Sequence, residues 1–187
     1  MTGAEVARRI LDANGLHDVP VNAVPGSLTD HYDPRSRSVN LSESVYGPAT
    51  ISSTAVAAHE VGHAIQHANA YAPMTLRSAL WPVTSFASSA WMFLLFGGML
   101  LGLLQLSLLG VVLYGAVVLF QLVTLPVEFD ASRRAAVQLK ALGIANPDEA
   151  IGVRRVLTGA ALTYVAGALA ALSQLLYFVL MLSGNRN

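Results

Sequence analysis

The sequence predicts a mainly α fold with a small antiparallel β-sheet and three transmembrane helices. Three observations predict it. Residues 78–127 form a run of 50 without Asp, Glu, Lys, Arg or His, and residues 156–185 form a second run of 30. The 22 charged residues lie in the other 107, about 21% of them, close to the roughly 25% typical of soluble domains. The polar segments show helical spacing of apolar residues, except over residues 19–42, where the pattern becomes extended.

Taken in order, residues 4–13 predict a short helix with Val6, Ala7, Ile10 and Leu11 on one face, closed by Asn14-Gly15. The opening MTGAEVARRIL carries Glu5, Arg8 and Arg9 and lacks the unbroken apolar core of a signal peptide, so it reads as folded material. From Val19 the alternation of Leu28, Asp30 and Tyr32, then of Val39 and Leu41, predicts two or three short strands, the first an edge strand because of Pro20 and Pro25. A helix is expected from Thr50 or Ser52 to Asn69 or Ala70, capped by a hydroxyl residue, with Pro73 beyond its end.

A single helix of 50 residues would measure roughly 75 Å against a hydrocarbon core of about 30 Å. The first charge-free run therefore predicts two spans, near Leu80–Leu101 and Leu108–Leu125, with Pro126 at the end of the second. Glu128–Leu142 reads as the next helix, ended by Gly143, and Asn146-Pro147 opens another that can continue into a third span near Val156–Leu182. The Ala and Gly residues of that span suit close packing within the chain, or against a second copy or a membrane partner. The expected organisation is thus 1–77, a hairpin over 78–127, a polar segment 128–155, and 156–187.

An even number of crossings puts residues 1–77 and 128–155 in one compartment. Those segments hold ten of the 11 basic residues, with Arg186 alone opposite, so the polar side is expected to be cytoplasmic and the protein a multi-pass cell-membrane protein. A net charge of zero gives no reason to expect nucleic acid, and with no cysteine there is no disulfide and no thiolate metal site.

The chemistry lies in His59-Glu60-Val61-Gly62-His63, an HExxH motif inside the predicted helix. Residues four apart share a helical face about 6 Å apart, so His59 and His63 can hold one Zn²⁺, and Glu60 can act as general base. A catalytic zinc needs a third protein ligand. His67 lies about 12 Å along the helix from His59, too far to share the ion, and is left as an outer contact, a substrate contact or plain surface. Glu128 is the better candidate, the first charge after the hairpin; Asp148 is a weaker one. Asp130 is a candidate to orient a histidine ligand through its free nitrogen. His31, His67, Tyr71, Tyr164, Arg133 and Arg134 remain open as oxyanion stabilisers or substrate contacts. The strand around Val39–Ser42 is expected to offer a sheet edge that aligns an extended peptide.

At VARRILDANGL, GSLTDHYDPRSRSVNLSESVY, AVAAHEVGHAIQHA, LPVEFDASRRA and VLTGAALTYVA the chain resembles the YugP-like neutral zinc metallopeptidases, integral membrane proteins. Members usually begin with an extra membrane span, and this chain starts just after where that span would end. EFDAS is similar to the HtpX-type segment in which Glu is the third zinc ligand and an Asp follows four residues later; Ser132 stands there instead, leaving Asp130 as substitute. The resemblance implies a zincin-like membrane endopeptidase with His59, His63 and Glu128 on zinc and Glu60 as base. It also implies a peptide or protein substrate, membrane proteins included, beside the bilayer. Two other readings stand beside it. One is a site-2-type intramembrane zinc protease, disfavoured by the polar Ser52, Ser53, Thr54, Gln66, His67 and Asn69 of the motif helix. The other is a non-enzymatic metal-binding scaffold or transporter, disfavoured by the scarcity of polar groups in the spans.

Overall fold

A computed structural model describes residues 1–184. Arg186, expected on the opposite side of the membrane, lies outside the described residues. The elements run α1 (Gly3–Ala13), β1 (Val21–Val24), β2 (His31–Asp33), β3 (Ser38–Ser42), α2 (Glu43–Tyr46), α3 (Ile51–Ala68), α4 (Ala72–Leu100), α5 (Leu104–Ala141) and α6 (Pro147–Gly184). The chain divides into two compact units: Met1–Met74 with Val127–Leu162, and Thr75–Pro126 with the chain from Thr163 on.

The first unit is built on α1, α3 and the sheet. Thr2 and Glu5 form a capping box that starts α1, satisfying two otherwise orphaned backbone N–H groups. Its apolar face, Val6, Ala7, Ile10 and Leu11, is wholly buried. Thr50 and Ser53 form the second capping box, which fixes where α3 begins and hence which way its histidines face. The α3 residues Ala55, Ala57, Ala58, Val61, Ala64 and Ile65 join Val39 and Leu41 of β3, Ala135 and Leu139 of α5, and Val153 and Leu157 of α6 in one core. Each fully buried Val or Leu in it contributes about 1.5–3 kcal/mol.

The sheet is mixed where a wholly antiparallel one is expected. Its order is β1-β3-β2, with β3 antiparallel to β2 (His31 opposite Asn40) and parallel to β1 (Val21 opposite Val39). The chain reverses between β1 and β2 and again before β3, so β3 runs in the direction of β1. The first strand is an edge, as its flanking prolines require. The expectation of a free edge at Val39–Ser42 is corrected: β3 is central and both its sides are paired.

In the second unit, α4 and α5 are joined at Leu101–Leu103, where Gly102 takes φ +67° and the Leu103 N–H closes onto the Gly98 carbonyl at 2.8 Å. That left-handed residue is what permits so short a reversal. Leu95, Val111, Phe178 and Leu182 form its core, with the Trp91 ring 4.4 Å from Tyr114 and 5.8 Å from Phe178. By length and composition α4, α5 and α6 are each able to cross a membrane.

Two boundaries differ from expectation. Pro126 does not end a helix: α5 runs through it to Ala141, merging the second apolar segment with the predicted Glu128–Leu142 helix. Likewise α4 begins at Ala72, well before Leu80, and carries Pro82 inside it. A proline removes one backbone hydrogen bond, a local loss that packing on either side outweighs. Val127 and Ala131, just after Pro126, are fully buried.

Candidate metal centre

Within the first unit, α3 and the part of α5 from Val127 onward supply the centre. His59 and His63 lie one turn apart on α3, their ring centroids 4.8 Å apart and their planes at 84°. Gly62 brings α5 close: a Cβ built there would lie 2.5 Å from the carbonyl oxygen of Ala131 and 3.1 Å from its Cα. Nothing larger than hydrogen fits between the two backbones at that point. The close approach lets Glu128, one turn before Ser132 on α5, reach both imidazoles. Its Oε2 lies 3.1 Å from His59 Nε2 and 3.6 Å from His63 Nε2.

One ligand atom from each of the three residues lies within 4.8 Å of the others. Tetrahedral donors bonded to zinc at about 2.0–2.1 Å stand roughly 3.3 Å apart, and the two Glu128 distances bracket that value. The chemistry fits as well. Glu128 is 2% exposed, and a carboxylate taken from water needs a cation or its equivalent beside it. Two imidazoles and a carboxylate are a zinc donor set that leaves a position open.

The electrostatics follow from this crowding. Burial alone pushes the His63 ring towards its neutral form, but its hydrogen bond to Glu128 and the charges of Glu60 and Glu128 outweigh that and raise its pKa. Burial pushes Glu128 upward, yet the two imidazoles hold its carboxyl well below the usual carboxylate range. A metal held by these three residues would have to compete with the proton that the raised pKa of His63 favours. Glu60 is 8% exposed on α3.

Two contacts escaped sequence reasoning. His59 Nδ1 lies 3.1 Å from Ser132 Oγ, and His63 Nδ1 lies 3.0 Å from Gln66 Oε1. Ser132 stands one turn after Glu128 and Gln66 one turn after His63, so the face each occupies was readable, though not its partner. Asp130 meets Gln66 rather than an imidazole: it accepts from Gln66 Nε2 at 3.0 Å and from Arg133 and Arg134. Burial raises the Asp130 pKa, but these donors together bring it to about 2.

The other candidates lie outside the three-residue group. His67 Nδ1 pairs with Tyr32 Oη of β2 at 2.8 Å. His31 is exposed on β2, with Nδ1 2.7 Å from the Thr29 carbonyl. Arg133 is exposed, and the Arg134 guanidinium lies 5.7 Å from the Tyr71 ring. Tyr164 belongs to the other compact unit. Asp148 is exposed in the first turn of α6.

A family model described as "Putative neutral zinc metallopeptidase" matches residues 1–183. "Putative membrane protease YugP" of Bacillus subtilis (strain 168) is 54% identical over 186 residues, which cover 100% of this chain and 83% of that protein. No solved structure matches.

Proposed function

Because the chain belongs to the neutral zinc metallopeptidase family, we propose that it is a membrane-embedded zinc endopeptidase, with His59, His63 and Glu128 as the metal ligands. The observation that carries this is the convergence of two imidazole Nε2 atoms, at 3.1 and 3.6 Å, on a single oxygen of Glu128. When bound, zinc supplies Lewis acidity, making water a better nucleophile and polarising the scissile carbonyl. Glu60 takes the proton of the attacking water and returns it to the leaving amine, the work of a general base that then turns acid. The buried carboxylate of Glu128 and the outer hydrogen bonds of both rings hold the donors in place before substrate arrives.

The substrate is a peptide or protein, membrane proteins included. The protein is multi-pass, its catalytic side is cytoplasmic, and the site draws on 1–77 and 128–155. Among the described residues, the helices long and apolar enough to cross a membrane are α4, α5 and α6 and do not include α3, which favours a site outside the hydrocarbon over a site-2-type one.

The test is Glu60→Gln, which keeps zinc stoichiometry and abolishes chelator-sensitive cleavage of an unstructured substrate such as casein. A variant that cleaves at the wild-type rate removes Glu60 from the mechanism.

A further inference from the structure

Gln66 lies outside the HExxH motif, on a helix where a polar letter reads as solvated surface, yet it is fully buried. Its amide makes three hydrogen bonds. Nε2 donates to the Val127 carbonyl at 2.8 Å and to Asp130 Oδ2 at 3.0 Å, while Oε1 meets His63 Nδ1 at 3.0 Å.

The polarity of this chain of bonds is forced. A carbonyl offers no proton, and Asp130, clasped by Arg133 and Arg134, stays a carboxylate. Both can only accept, so the amide must turn its NH₂ towards them. Its oxygen is then left facing His63, and since an amide oxygen only accepts, His63 Nδ1 must carry the hydrogen. The ring's other nitrogen is the one aimed at Glu128 Oε2. Ser132 beside His59 imposes no such choice, because a hydroxyl both donates and accepts.

We propose that Gln66 is a positioning residue for the metal: with Asp130 and the Val127 carbonyl it fixes the His63 tautomer and ties that ring to the turn of α5 that carries Glu128. The inference rests on the zinc reading of His59, His63 and Glu128. Removing such an outer partner typically weakens metal binding about 10–100-fold.

The experiment uses the full chain in detergent. Zinc affinity is measured by competition with a chromophoric chelator, and the His63 Nδ1–H signal is followed by NMR in the zinc-loaded, histidine-labelled protein. Gln66→Met fills the same space without polarity. It is expected to weaken zinc binding about 10–100-fold and to lose the solvent-protected Nδ1–H signal. Gln66→Glu is expected to bind weakly too, because its carboxylate faces that of Asp130. That carboxylate also faces the Val127 carbonyl, so Gln66→Glu cannot reproduce the donor side of the amide.

A folded Gln66→Met protein that binds zinc within about threefold of wild type, well short of that 10–100-fold loss, would overturn the proposal, since a packing role alone predicts that result. If Gln66→Met does not fold, Gln66→Glu decides: zinc binding by that variant within about threefold of wild type, short of the 10–100-fold loss, also overturns it. A wild-type chain that binds no zinc removes the metal reading and this one with it. Equal binding by wild type and Gln66→Met removes the Gln66 role alone.

Discussion

Gly62→Ala sets two opposite effects against each other. In an ordinary exposed helix the change stabilises by about 1 kcal/mol, because alanine loses less backbone freedom on folding. Here the new Cβ would lie 2.5 Å from the Ala131 carbonyl oxygen, about 0.9 Å short of ordinary contact at 3.4 Å. The obstacle is backbone, so no rotamer change relieves it; α3 and α5 must move apart. Overpacking of this kind costs about 1–3 kcal/mol, so the net expectation is a loss of up to about 2 kcal/mol. The metal centre feels it more. Bond lengths at a zinc site tolerate about 0.2 Å, several times less than the displacement needed, so zinc affinity should fall at least about tenfold. Chemical denaturation without metal and chelator competition with it measure the two quantities on one sample. A variant about 1 kcal/mol more stable with unchanged zinc affinity would refute the close-contact argument.

Other outcomes follow from the same geometry. Glu128→Ala should empty the zinc site, while Asp148→Ala keeps full stoichiometry by metal analysis; the reverse would move the third ligand to α6. Ser132→Ala removes the partner of His59 Nδ1 and should weaken zinc by several-fold up to about tenfold, read by the same competition. The Asp130 carboxyl is held at about 2 against 3.8 when free, so its folded pKa is depressed. Its contribution to stability is complete above about pH 4 and is lost as the pH falls towards 2. Asp130→Asn should therefore flatten that part of the pH–stability curve, and an unchanged curve would show that the arginine clasp does not stabilise the fold.

Much of the fold was legible because its signals are local. Thr50 ahead of the apolar run marks a helix start, and Asn14-Gly15 a helix end, by a chemistry that needs only neighbours. The spans announce themselves by the absence of charge. His59, Glu60 and His63 are tied by helix periodicity, and Glu128 stood out as the first acid after the hairpin. What stayed hidden depends on partners distant in sequence. The parallel pairing of β1 with β3 depends on the path of residues 25–37, not on the strands' own alternation. Pro126 looks like a stop until the packing of Val127 and Ala131 is seen. Gln66 and Ser132 are ordinary polar letters until an imidazole 3.0 or 3.1 Å away gives them a task.

The position of β3 in the middle of its sheet bears on selectivity. With both flanks of that strand consumed, main-chain docking of an extended polypeptide would be confined to the outer margins of its neighbours. One neighbour, β2, is only three residues long, and the other, β1, is four residues long and bounded by Pro20 and Pro25. Such short margins supply few amide contacts, so residue identity on either side of a scissile bond should govern turnover more than it does in enzymes that zip their substrates onto a long ribbon.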